Sequence, residues 1–228
     1  MGSRRRAGGS NSGSAASMGA GVGYGSIGTD TGGSTRLPAA LCGLVGLKPT
    51  YGAIDCGGVM ALSPTLDHIG VLTRSIDDNR LLHHSLTAEP ADHPQDRLRP
   101  VDQLRMGVVT DLCAEPFDDD VRVVFDAAIQ TLRAVGTVVS DVDLPSAVSI
   151  GDQAMPIMLA EAAYQHQAWF PARAGDYASG TRRNLQVGAG LPAVAYIAAL
   201  EARRRFTHSV TDRPQRSRIT PARARVTH

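Results

Sequence analysis

Residues 8–51 constrain this chain more than any other stretch, because their glycines and hydroxyl side chains leave few conformations and few chemistries open. At the centre lies Gly28-Thr29-Asp30-Thr31-Gly32-Gly33-Ser34-Thr35-Arg36. A glycine–serine cluster at residues 8–14 precedes it, and Gly43-Leu44-Val45-Gly46-Leu47-Lys48-Pro49-Thr50 follows. Two glycines ahead of Ser34 let backbone N–H groups converge without side chains in the way. Acyl transfer from an amide needs an activated nucleophile, a proton route and donors for the developing oxyanion. The N–H groups of Thr31, Gly32, Gly33 and Ser34 are candidates for those donors. Asp30 and Arg36, of opposite charge, flank the turn as a pair that braces it. Taken alone, the same residues describe a tight glycine turn with exposed hydroxyls, which is the commoner meaning of a single Gly-Gly-Ser.

The surrounding pattern places small-residue helix at 13–21, a short buried strand at 24–29, and a helix at 38–45 that starts on Pro38. Residues 49–73 read as loop, punctuated by Gly52, Gly57, Gly58, Pro64 and Gly70. Ser75 is an N-cap, with Asp77 and Asp78 in the first turn and Ile76, Leu81, Leu82 and Leu86 as the apolar stripe. A polar, Pro-rich connection covers 88–100.

Beyond it, residues 104–109 form a strand. Residues 118–135 form a helix with Val121, Val124, Ala128, Ile129, Leu132 and Val135 on one face, and after Gly136 a second strand spans 137–144. This β, α, β order predicts an α/β arrangement with a right-handed crossover. Further helices are expected at 153–169 and 192–208. There is no internal repeat.

With 228 residues and 43% hydrophobic content, the chain suffices for one sizeable core or two small ones. Residues 211–228 hold five arginines against Asp212, so this stretch carries +4 and the rest −3 of the formal net charge of +1. That Arg-rich tail, without apolar period, is expected to be disordered, and residues 1–210 to form the domain. Without aromatic interleaving it argues against a nucleic-acid partner. The cysteines Cys42, Cys56 and Cys113 show neither a disulfide framework nor zinc spacing, which points to a reducing cytoplasm. Residues 1–6 are basic but lead into glycine and serine instead of an apolar signal core. No window reaches the length of a membrane helix, so no membrane partner is expected. Lys48 is the single lysine.

Residues 8–14, 28–38 and 42–51, together with Leu66-Asp67-His68-Ile69-Gly70, resemble the blocks of the amidase signature family in order and spacing. The resemblance implies a mixed β-sheet core flanked by helices and hydrolysis of non-peptide carbon–nitrogen bonds through a serine acyl-enzyme. It implies a small-molecule amide as substrate and neither a metal nor an organic cofactor, and it leaves self-association into a homo-oligomer open. Ser34 then corresponds to the nucleophile and Ser10 to a serine held by a cis peptide bond, which links the nucleophile to a lysine. Asn11 and Ser12 stand where the family more often has Ser and Gly. In the family the lysine lies well upstream of the first serine block, and Lys48 falls instead in a block that follows the nucleophile. The expectation is a chain truncated at both ends and impaired for want of the triad lysine. The alternatives are a non-catalytic remnant or one component of an amidotransferase.

Two further signals carry less. Gly23-Tyr24-Gly25-Ser26-Ile27-Gly28 matches a dinucleotide fingerprint but no helix is expected to open after Gly28. Asp67 and His68, adjacent in sequence, are poorly placed to serve as orienter and base to one another.

Overall fold

The computed structural model of the protein describes residues 7–87, 100–113, 118–144 and 146–211. The N-terminal basic run, the Pro-rich connection at 88–99 and the Arg-rich segment beyond Thr211 lie outside the described residues. The described residues fall into two compact units, one from 7–87 and 158–190, the other from 100–113, 118–144, 146–157 and 191–211.

The first unit opens with helix α1 (Ser12–Gly19), then strand β1 (Gly25–Thr29), helix α2 (Arg36–Leu41) and strand β2 (Val45–Leu47). Strand β3 (Ile69–Thr73) follows, and then helix α3 (Ile76–Leu86). The strands pair antiparallel in the order β1-β3-β2, with Thr29 opposite Ile69 and Leu47 opposite Val71. Every residue of β3 is buried, so this strand is covered on both faces. That is why Ile69-Gly70-Val71-Leu72-Thr73 shows no apolar–polar alternation and reads as loop from sequence, whereas it is the central strand. Ala15 of α1, Ala39 of α2 and Leu72 of β3 form the core here, with Cys42 and Leu44 against it. Small side chains at 15 and 39 let the two helices lie close to the strand.

Two further expectations are corrected. The helix expected at 38–45 is α2, which starts two residues earlier and ends at Leu41. Residues 45–47 are strand instead, because they complete the ladder on β3. Helix α3 is capped as expected, Ser75 Oγ accepting from the N–H of Asp78. Its stripe differs, since Ile76 and Leu81 are exposed and the one buried residue is Asn79. The Asn79 amide donates to the carbonyls of Val45 and Val71, a polar link that an apolar period does not reveal.

In the second unit, strand β4 (Arg105–Val109) is followed by the short helix α4 (Thr110–Cys113), helix α5 (Asp119–Ala134) and strand β5 (Val138–Val142). β4 and β5 pair in parallel, Arg105 opposite Val138, as the β, α, β order requires. Gly136 ends the helix with a φ of +90°. Val124 and Val135, expected on the inward face of α5, are exposed. Helix α6 (Ser146–His166) begins in this unit and its residues from Met158 belong to the first. Helices α7 (Phe170–Arg173) and α8 (Ser179–Ala189) are part of the first unit, and α9 (Ala193–Thr211) part of the second. Val109, Leu144 and Ala147 form the second core, with Phe206 and Val210 of α9 packed on it. Among the described residues no single helix is long and apolar enough to cross a membrane.

Candidate active site

Residues 28–36 leave the end of β1, turn, and enter α2. The turn is built around Asp30, which has no exposed surface. Its carboxylate accepts the backbone N–H of Gly33 at 2.8 Å and those of Thr35 and Arg36 at 3.3 Å each. Arg36 closes on it bidentately, through Nε at 3.0 Å and Nη2 at 2.9 Å. Burial works to raise the Asp30 pKa, but the Arg36 hydrogen bonds and charge and the bonded backbone amides outweigh it and hold the carboxyl below its ordinary value. A carboxylate is an acceptor with room for several donors, and five converge here. Gly33 sits at a φ of +122°, a conformation that L side chains rarely adopt.

This bonding sorts the candidate oxyanion donors. The Gly33 N–H is turned inward to Asp30, so it is engaged. The N–H groups of Thr31, Gly32 and Ser34 have no hydrogen-bond partner among the described residues. Of the four candidate donors, these three carry no bond here and Gly33 is held by Asp30.

The glycine–serine cluster meets the turn through the residue after Ser10. The Gly9–Ser10 peptide bond is cis. The Asn11 N–H donates to the Ser34 carbonyl at 3.3 Å, and its side-chain amide donates to the carbonyls of Ser34 and Thr29, both at 2.7 Å. A methyl group at Gly28 would fall 2.7 Å from the Asn11 amide, so glycine there makes room for the clamp. In the sequence Asn11 stands out only as a departure from a family pattern. The structure shows that it ties the two serine blocks together, across 23 positions in the chain for the Ser34 bond. Ser10 is exposed and Ser34 partly so, and their hydroxyls are not hydrogen-bonded to each other in this structure.

Lys48 and His68 flank the ion pair. The Lys48 pKa is lowered by burial and by the Arg36 charge, against a smaller opposite pull from Asp30. The ammonium makes no hydrogen bond or ion pair among the described residues. The His68 pKa is lowered, chiefly by burial, with the Lys48 and Arg36 charges acting the same way against Leu66 and Asp30. Its Nδ1 lies 2.7 Å from the Leu66 carbonyl, which fixes the proton on that nitrogen, and its ring meets Tyr51 edge-on. Asp67 points elsewhere, to Thr31 and to the N–H groups of Leu62 and Ser63. His68 and Asp67 therefore do not form a base and its orienter. The Gly23–Gly28 fingerprint is likewise empty of its setting, since Gly28 lies within β1 and no helix follows it directly.

A cavity of about 290 Å³ in the second unit is lined by Val108, Phe125, Asp126, Ile129 and neighbouring residues. It contains none of the candidate serine or oxyanion groups, so it is no part of the candidate site at the turn.

The sequence profile of the Amidase family matches residues 1–213. The chain belongs to the Amidase family. A glutamyl-tRNA(Gln) amidotransferase subunit of Staphylococcus saprophyticus is 40% identical over 150 residues, covering 61% of this chain and 31% of the relative. The protein of the same name from Anaeromyxobacter dehalogenans is 40% identical over 152 residues, 62% of this chain and 31% of its own length. A crystal structure of an amidase superposes with a TM-score of 0.83 at 32% identity, over 91% of this chain and 46% of that one. The fold is thus the mixed α/β fold of amidase-signature proteins, and the chain matches about a third of the length of these curated relatives.

Proposed function

We propose that this chain carries the nucleophile, the bridging serine and the oxyanion turn of an amidase-type hydrolase that cleaves non-peptide amide bonds. One observation carries the reading: three neighbouring N–H groups, of Thr31, Gly32 and Ser34, stand unpaired among the described residues on a turn whose other amides are locked onto buried Asp30. Preorganised donors of this kind stabilise an oxyanion without reorganising during the reaction. Ser34 Oγ adds to the amide carbonyl, and the oxygen that becomes negative is taken by those N–H groups. The Ser34 proton passes by way of Ser10 to the leaving amine, whose departure leaves an ester on Ser34. Water then cleaves that ester, returning the acid and the free serine.

Ser10 requires a base behind it. Lys48, the single lysine, makes no hydrogen bond to either serine, and a base must lie within about 2.6–3.2 Å of the proton it takes. We therefore expect turnover by residues 1–228 alone to be far below that of a relative in which a lysine stands behind the second serine. A fluorophosphonate probe tests both parts. Weak labelling of the wild-type chain, abolished in Ser34→Ala, is the expected result. Labelling that survives Ser34→Ala removes Ser34 as nucleophile, and strong labelling confined to Ser34 contradicts the impairment.

The second reading, one component of an amidotransferase, is favoured by the 40% identity to proteins of that name. Transfer of ammonia to glutamate on a charged tRNA, assayed with the remaining components supplied, separates it from a stand-alone hydrolase. A small-molecule amide substrate, a cytoplasmic setting and no membrane partner are part of the proposal under either reading, and the absence of a required nucleic acid belongs to the first only.

A further inference from the structure

The oxyanion turn is held from a second side, by residues far away in sequence. Thr31 Oγ1 donates to Asp67 Oδ1 at 2.5 Å. The other oxygen of Asp67 accepts the N–H groups of Leu62 at 2.8 Å and Ser63 at 2.9 Å. Residues 62–67 are in turn held by Glu161 of α6. Its Oε2 accepts from Ser63 Oγ at 2.7 Å and from the Thr65 N–H at 3.1 Å, and its Oε1 accepts from Thr65 Oγ1 at 2.7 Å. Ser63 and Glu161 are buried. Met158, three residues before Glu161 on the same helix, faces the turn as well: a methyl group at Gly32 would come within 3.9 Å of its sulfur.

Buried carboxylates are costly unless their oxygens are satisfied, and a satisfied one rigidifies what it bonds. Here two satisfied carboxylates, the buried Glu161 and the half-buried Asp67, stand in series. Glu161 fixes the loop, the loop fixes Asp67, and Asp67 fixes the Thr31 side chain, whose own N–H is one of the unpaired donors. We propose that Glu161 and Asp67 are positioning residues for the oxyanion turn, and that the 62–67 loop transmits the placement of residues 158–166 of α6 to the direction of the Thr31 and Gly32 N–H groups. The catalytic meaning of this relay rests on the oxyanion reading given above; neither carboxylate touches reacting atoms.

Amide hydrogen exchange on the full chain tests it, using the Gly33 and Thr35 amides, which are bonded to Asp30, as reporters of the turn. Glu161→Ala should speed exchange in residues 62–67 and also at Gly33 and Thr35, by about tenfold or more, while β3 and α3 keep wild-type rates. Glu161→Gln should restore most of the protection, because its amide oxygen still accepts the Thr65 N–H and its nitrogen donates to a hydroxyl. Thr31→Val, which keeps shape and removes the hydroxyl, should free Gly33 and Thr35 with 62–67 unchanged, and Thr31→Ser should not. Should Glu161→Ala fail to fold, the Thr31 pair decides by itself. The proposal is overturned if the turn keeps wild-type exchange when either link is cut, or if loosening spreads evenly through β3 and α3. Fluorophosphonate labelling of the same variants separates the two claims. A coupled turn without Ser34-dependent labelling sinks the hydrolase reading alone, and Ser34-dependent labelling with an uncoupled turn sinks the relay alone.

Discussion

Asp30→Asn removes the charge at the centre of the turn while keeping its shape, and its cost follows from the donor geometry. The carboxylate receives five N–H groups, two on one oxygen and three on the other. An asparagine presents one oxygen. If that oxygen stays with Gly33 and Arg36 Nη2, the new NH2 group meets the N–H groups of Thr35 and Arg36 and the Arg36 Nε–H, donor against donor. The reverse orientation abandons the shorter bonds. Removing one member of a buried ion pair costs about 3–5 kcal/mol. The Arg36 side chain is 38% exposed and can recover some hydration, so the expected loss is near the lower end, about 3 kcal/mol. The pH dependence follows from the depressed pKa. A carboxyl whose folded pKa lies below its ordinary 3.8 contributes stability above that value and loses it as pH falls through the folded pKa. Urea unfolding followed by circular dichroism should therefore show the gap between wild type and Asp30→Asn in full at pH 7 and shrinking below about pH 4. A difference at pH 7 within about 0.5 kcal/mol, the ordinary range of surface changes, would refute the assignment of Asp30 as the organiser of the turn. So would a gap that widens in acid.

Gly33→Ala forces a Cβ onto a φ of +122° and should cost about 1–3 kcal/mol, with the loss visible in the same urea titration and Gly32→Ala, at an ordinary φ, much milder. Asn11→Ala removes two 2.7 Å bonds, leaving the Thr29 carbonyl with Thr35 Oγ1 alone and the Ser34 carbonyl with the backbone N–H of residue 11, so about 2 kcal/mol is expected, and wild-type stability in that variant would contradict the clamp. Ser75→Ala removes the cap of α3 and should lower stability by about 1 kcal/mol without altering any Ser34 reactivity, since α3 contributes nothing to the turn's hydrogen bonds.

Features that depend on near neighbours in the chain are legible in the sequence. Ser75 three residues before Asp78 forms a cap because both partners lie within one turn of helix. Gly136 stops α5 because a left-handed residue is needed where the helix ends. The β, α, β order of β4, α5 and β5 leads to a parallel pair because a crossover of that length returns the chain in the same direction. The Asp30–Arg36 pair, six positions apart, is visible for the same reason. The burial of β3 is not, because a strand covered on both faces loses the alternation by which strands are recognised.

The Gly-Thr-Asp-Thr-Gly-Gly-Ser turn that stands out in the sequence is the centre of the candidate site, but which of its groups are available is decided by the fold. Composition and order alone determine that Gly33 accepts a positive φ, that Ser34 follows it, and that only one lysine exists. Which N–H groups are left for an oxyanion depends on where the Asp30 oxygens point. Likewise Asn11 joins the two serine blocks, and Glu161 reaches Ser63 across 98 residues, only because the folded chain brings those groups within about 3 Å. A hydrogen bond needs that proximity and direction, and no local pattern encodes either for residues so far apart.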